Sequence, residues 1–272
     1  MSADSGYRSA DGLDVRADGG VLHISMNNPR RRNALGDDAV EAFIEALIRA
    51  NSDDDVRAVL VKGEGNEFCT GADIVARNAP SDRKPRVGAI SRRLPRQAHR
   101  LIPTLLKIEV PVVAAARGYA AGLGLQILLA CDFAVVARDA TLWEPFSARG
   151  MGPDGGATWL LPRCVGPVRA REMLLLGRRI SGEEAVEWGI GLEAVDAGEV
   201  DMRAQTLAVR LSEGPTVSLG LTRALINSSA TRTLDDHLAF EGYGMEIASR
   251  SLDFREGLSA FVEKRDPQFG GR

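Results

Sequence analysis

Between positions 37 and 51 the apolar residues Val40, Phe43, Ile44, Leu47 and Ile48 recur at i, i+3, i+4, i+7 and i+8, the spacing of one helix face. Asp37 and Asp38 put negative charge in that helix's first turn, where the macrodipole favours it. Upstream, 21–25 reads as a strand, broken by Asn27-Asn28-Pro29 before the run Arg30-Arg31-Arg32. Two wholly apolar runs, 58–61 and 110–116, end near Gly63 and Gly118 and suit parallel strands buried on both faces. Each leads to a glycine turn and a helix start, Gly71-Ala72-Asp73-Ile74 and Gly122-Leu123-Gly124-Leu125. The pattern predicts an α/β chain of repeated β-loop-α units.

After a further strand at 132–137, helical periodicity dominates, at 170–176, 182–188, 200–211, 217–227, 234–248 and 252–264. The expected division is a core over 13–195 and a helical region over 196–272, the latter with enough apolar residues to pack or to self-associate. The stretch 77–100 is rich in Arg, Lys and Pro and has no clean period, so it reads as a variable, mobile region.

Composition narrows the classes. The 272 residues are 44% hydrophobic and 26% charged, as in ordinary globular domains, which argues against disorder or a fibrous chain. A net charge of −3 gives no general pull toward nucleic acid or anionic lipid. The longest apolar stretch, around 125–130, falls short of a membrane span, and the polar first twelve residues do not read as a secretory signal, so the expected compartment is the cytosol. Cys69, Cys131 and Cys164 are widely spaced, as are His23, His99 and His237, a pattern that suggests neither a disulfide scaffold nor a metal centre.

Three segments carry candidate chemistry. Gly150-Met151-Gly152-Pro153-Asp154-Gly155 has the spacing of a dinucleotide loop, but Pro153 removes a backbone donor and no long strand feeds the motif. The turns at 71–74 and 122–125 each end at a helix start, where N–H groups have no intrahelical partner. Two such ends aimed at one point would form an oxyanion hole, and tight turns needing glycine only for packing are the alternative.

Taken in order, several motifs resemble the crotonase, or enoyl-CoA hydratase/isomerase, superfamily. They are Arg32-Asn33-Ala34-Leu35, Phe68-Cys69-Thr70-Gly71-Ala72-Asp73-Ile74, Gly118-Tyr119-Ala120, Cys131-Asp132, Pro153 followed by Gly155-Gly156, Leu161-Pro162-Arg163, and Glu256-Gly257 ahead of 261–265. The resemblance runs from about Val21 to Arg272. It implies a crotonase-like ββα spiral core with a C-terminal helical trimerisation region, a homotrimer or dimer of trimers, and an acyl-CoA substrate whose coenzyme A is part of the substrate rather than a resident cofactor. By motif position the thioester oxygen would lie between the backbone N–H groups of Ala72 and Leu123. Arg31, Arg32 and Ala34 match the loop that holds the nucleotide end, Asp73 and Ile74 lie beside the adenine, and Phe261 and Lys264 match residues that reach a neighbouring subunit's ligand.

The match departs from the hydratase pattern at the two glutamates that hold water. Those positions carry Gln126 and Phe146, and neither an amide nor a phenyl ring can act as a general base. Glu144 lies two residues from the second position, about 6–7 Å along an extended segment. Asp154 falls where some isomerases of the superfamily carry their carboxylate, although Pro-Asp-Gly is also good turn chemistry. The resulting expectation is an enoyl-CoA isomerase that transfers a proton through an enolate with Asp154 as its one base. The alternatives are a hydratase with a non-standard residue set, a dehalogenase-like enzyme with Asp154 as nucleophile and His99 as helper, and a non-catalytic acyl-CoA-binding protein.

Overall fold

The computed structural model describes residues 6–74, 86–96 and 98–272. The segment expected to be variable, 77–100, therefore lies partly outside the described residues.

Strands β1 (Leu13–Asp18), β2 (Val21–Met26), β3 (Ala58–Gly63), β4 (Val112–Ala116), β6 (Phe133–Ala137) and β9 (Glu193–Val195) form one sheet in that order. β1 and β2 pair antiparallel and the remaining neighbours pair parallel. A smaller sheet has the order β5 (Tyr119–Ala121), β7 (Thr141–Trp143) and β8 (Arg179–Ser181). The chain moves from a strand of the large sheet to one of the small sheet and then to a helix: β4, β5 and α4 (Leu123–Ala130), then β6, β7 and α5 (Ala157–Leu175). Single parallel bridges, Leu35 to Ala72 and Cys69 to Ala120, repeat the step after β2 and β3. The expected ββα spiral is the observed architecture.

The predicted strands are present within a residue or two, β4 starting at Val112 because Pro111 has no N–H to give the ladder. β1 escaped the sequence reading because it is an edge strand whose alternation, LDVRAD, is short. Helix α1 (Asp37–Ala50) buries Val40, Phe43, Ile44 and Leu47, each worth about 1.5–3 kcal/mol when removed from water. Ile48 is half exposed, because the buried arc runs instead through Ala39, Ala42 and Ala46.

Helix α5 starts thirteen residues before the predicted 170, since Pro162 and Pro167 mask its periodicity. It breaks at Gly166 (φ 77°, ψ 167°), the residue before Pro167, where proline disfavours helical geometry. Helices α2 (Ala89–Arg93) and α3 (Ala98–Lys107) precede β4, and α6 (Gly182–Glu187) precedes β9. The C-terminal helices are α7 (Val200–Ser212), α8 (Thr216–Ser229), α9 (Leu234–Ala248) and α10 (Leu252–Glu263). α7 packs on β3, β4 and β6. α8 is fastened by Arg223, whose guanidinium bonds Asp132 at 2.6 Å and the carbonyls of Leu105, Leu106 and Ile108 at 2.6–2.9 Å.

Among the described residues no helix is long and apolar enough to cross a membrane. The three cysteines are free; burial pushes the Cys69 thiol up to about 12, far from a reactive thiolate.

Candidate active site

Two backbone donors meet where the spiral's turns touch. Leu35 N donates to Gly71 O at 2.8 Å and Asp73 N to Leu35 O at 2.9 Å. The bridge therefore uses the groups on either side of Ala72 and leaves the Ala72 N–H outside the ladder. Opposite it, Gly122 N donates to Trp143 O at 3.0 Å, and Leu123 opens α4, where its N–H has no intrahelical acceptor. The segments lie close enough that a Cβ at Gly71 would stand 3.4 Å from Leu123 N, and one at Gly124 would strike Cys69 O. Glycine at both positions is what lets the Gly71–Ala72 peptide run alongside the start of α4. The pair predicted from the two glycine turns is thus brought together, with the positive end of a buried helix behind one of its members.

A cationic groove of about 470 Å³ adjoins Ala72 and takes in Arg31, Arg32, Ala34, Asp73 and Ile74. Its loop is held from within. Asn33, fully buried at φ 56°, donates from Nδ2 to Glu64 O at 2.9 Å and Glu67 O at 2.6 Å. Thr70 N donates to Arg32 O at 3.1 Å, and the Arg31 guanidinium pairs with Asp73. Arg149 also lines this groove, a residue that sequence reasoning missed because it is more than 70 positions from the rest. Phe261 is exposed on α10 and Lys264 caps that helix at φ 55°; neither lines the groove.

Beyond Leu123, α4 carries Gln126 into the interior with no exposed surface. Its Nε2 donates to Glu144 Oε2 at 3.5 Å, and Glu144 is equally buried. Among the described residues Gln126 Oε1 and Glu144 Oε1 have no hydrogen-bond partner. Burial drives the Glu144 carboxyl well above the usual carboxylate range; the Gln126 amide opposes this and the nearby charge of Asp154 adds to it.

Asp154 sits half-buried in the turn before α5, with Gly155 and Gly156 following at φ 60° and 91°. Only glycine enters that left-handed pair without strain. A Cβ at Gly155 would collide with Gln126 Oε1 and lie 3.7 Å from Leu123 Cδ1, so the Asp154 turn rests directly on α4. Phe146, in the other hydratase position, is buried. An apolar cavity of about 690 Å³ opens from Gly155 and Gly156 between Ile102 and Leu106 of α3, Trp159 of α5 and Ala224 of α8. His99 lies on its wall.

The dinucleotide-like glycines do not form a phosphate loop, since Gly150 ends the short 3-10 turn Ser147–Arg149 and no strand leads into it. Sequence reasoning set Glu144 aside on the distance along the strand, but the relevant neighbour is Gln126 on another element.

Residues 16–272 match the family described as enoyl-CoA hydratase/isomerase. The chain is 40% identical over 254 residues to 1,2-epoxyphenylacetyl-CoA isomerase of Escherichia coli, covering 93% of this chain and 96% of that one. It is 34% identical over 281 residues to enoyl-CoA hydratase domain-containing protein 2, mitochondrial, of Homo sapiens, covering 99% and 94%. The crystal structure of an enoyl-CoA hydratase from Polaromonas sp. JS666 superposes with a TM-score of 0.86 at 32% identity, over 94% of this chain and 99% of that one.

Proposed function

Because the chain belongs to the enoyl-CoA hydratase/isomerase family, whose substrates are coenzyme A thioesters, we propose that it moves the double bond of an enoyl-CoA by proton transfer through an enolate. The thioester oxygen accepts from the N–H groups of Ala72 and Leu123. The nucleotide end of the coenzyme lies along Arg31, Arg32, Ala34, Asp73 and Ile74, and the acyl group points to Gln126, Phe146 and the apolar cavity. Asp154 removes a proton from the carbon next to the carbonyl, and a proton returns two carbons along. Phe261 and Lys264 meet the ligand of a neighbouring copy, with the region after 196 serving assembly into a trimer or hexamer.

The observation that carries this reading is the turn of Asp154 seated against Gln126 and Leu123, on the helix whose first N–H is that of Leu123. A base near the acyl chain with an apolar wall, and an amide and a phenyl ring where hydration needs carboxylates, favours isomerisation over addition of water. The isomerase name of the Escherichia coli relative agrees with it.

The test is proton NMR of a 3-enoyl-CoA and a 2-enoyl-CoA in D2O with wild type and Asp154→Asn. Double-bond migration or deuteration at C2 and C4 that disappears in the variant supports the reading. Hydration that survives Asp154→Asn removes it, and unchanged substrates with tight binding point to a carrier of acyl-CoA.

A further inference from the structure

The apolar cavity that opens from Gly155 and Gly156 is a channel walled by two helices, and its lining repeats with the helical period. Ile102 and Leu106 stand one turn apart on α3, and Gly220, Ala224 and Ser228 stand one turn apart on α8. The two helices run in opposite directions. A Cβ at Gly220 would strike Glu109 O just beyond α3, while Arg223 Nη1 donates to Ile108 O at 2.6 Å and Asn227 Nδ2 to Leu106 O at 3.0 Å. The start of α3 therefore faces the end of α8, and there the lining is polar, with His99 and Thr231. Toward the end of α3 it turns apolar, with Leu106, Ile108 and Ala224, and the charged Lys107 and Glu109 that also border it are exposed. Ile102 marks the reacting end, since its Cγ2 lies 3.7 Å from a Cβ placed on Gly156. Ile108 continues the helix through its N–H to Thr104 O at 3.1 Å. At 1.5 Å per residue, the path from Ile102 to Ile108 is ~9 Å long.

We propose that this channel selects a linear acyl chain of about ten carbons, laid from the Asp154 turn along α3 toward Ile108, and that Ala224 sets its length. This rests on the reading above that the reacting carbons lie beside Asp154. An extended hydrocarbon advances ~1.2 Å per bond, a third of the 3.3–3.6 Å per residue of a stretched polypeptide, so the path holds about seven bonds beyond the reacting carbons. The cavity, at about 690 Å³, has the size of sites that enclose drug-sized ligands, roughly 300–1,000 Å³. A four-carbon acyl group would leave most of it empty, and a single ring at Ile102 would leave the end near Ile108 unfilled. Trp159 of α5 closes a further side, its ring covered by the Arg163 guanidinium 3.8 Å from the centroid. The two small residues of α8 differ in their reasons. Gly220 is required by packing, because any Cβ there meets Glu109 O at 2.3 Å. Ala224, one turn later, is exposed and stands on the channel wall, so a longer side chain at that position takes the space of the acyl chain.

Saturated acyl-CoAs report the channel without turnover, because they hold no double bond to move. Titration calorimetry of butyryl-, octanoyl- and decanoyl-CoA with the wild-type protein is expected to give Kd values that fall about two- to fourfold per added methylene, as for a partly to fully buried CH₂. Phenylacetyl-CoA, with the same number of acyl carbons as octanoyl-CoA, is expected to bind more weakly than it. Ala224→Phe is expected to raise Kd for decanoyl-CoA about tenfold or more while butyryl-CoA binds as before. Equal Kd values along the series, or tighter binding of phenylacetyl-CoA than of octanoyl-CoA, would overturn the proposal, and wild type gives both answers even if the variant fails to fold. Decanoyl-CoA bound equally by wild type and by folded Ala224→Phe would overturn it too. The isomerase reading fails separately. Double-bond migration in D2O with a flat series removes the chain selectivity alone, whereas a steep series without migration removes the isomerisation and leaves the channel.

Discussion

Gln126 and Glu144 are 18 residues apart, on different elements, and meet in the interior with amide Nε2 3.5 Å from carboxyl Oε2. Neither has exposed surface. Among the described residues the amide is the only side-chain donor to that carboxyl, and burial raises the acid's pKa well above the usual carboxylate range although the amide opposes this.

That protonation has a stability consequence. Unfolded, Glu144 ionises near 4.5; folded, it holds its proton to higher pH. Above pH 4.5 the unfolded chain binds fewer protons than the native one, so this residue makes wild-type stability fall as pH rises. Glu144→Gln removes that slope. Its melting temperature, compared with wild type from pH 5 to 8 by circular dichroism, is expected to rise relative to wild type as the pH increases. A constant difference would show that the carboxyl ionises normally in the fold.

Gly124→Ala tests the oxyanion geometry. The new Cβ meets Cys69 O and pushes α4 away from the segment carrying Ala72. Overpacking of this kind costs about 1–3 kcal/mol. Loss of one aligned donor lowers kcat by about 10²–10³-fold. The expected steady-state result is a lowered kcat with KM changed far less; equal kcat would place the reaction elsewhere.

Arg31→Ala separates coenzyme recognition from chemistry. The guanidinium pairs with Asp73 in the cationic groove and is half exposed, where it can also meet an anionic group. KM for an enoyl-CoA is expected to rise about tenfold, ~1.4 kcal/mol. KM for the matching enoyl-pantetheine, which lacks the nucleotide, should stay where it is. Equal effects on both substrates would mean that Arg31 supports the loop only.

Arg223→Ala is expected to destabilise the fold by about 3–5 kcal/mol in urea titration, because a buried charge pair loses one partner. Arg223 is 6% exposed and is the shared donor to Asp132 and three carbonyls at the C-terminal end of α3. Arg223→Lys should recover little, since one ammonium cannot span four acceptors. A loss under 1 kcal/mol would show that α8 is held by its other contacts.

Much of this molecule was legible from the chain alone. Periodicity of 3.6 over 37–51 and uninterrupted apolar runs at 58–61 and 110–116 report burial that any packing of these elements must satisfy, so helix and strand identities followed. The ordered motifs around Gly71, Gly122 and Asp154 lie on segments that the fold packs against one another. The short strands β5, β7 and β8 were not legible, because three residues contain too little pattern and exist only through pairing with distant partners. The same limit applied to Glu144. Along the strand it is a polar residue two places from the expected one, and its burial, its orphaned oxygen and its neighbour Asp154 come from α4, β7 and the turn before α5 converging. Local sequence determines which residues want to be buried and which turns need glycine. Electrostatic environment depends on desolvation and on charges distant in the chain, and only the tertiary structure sets both.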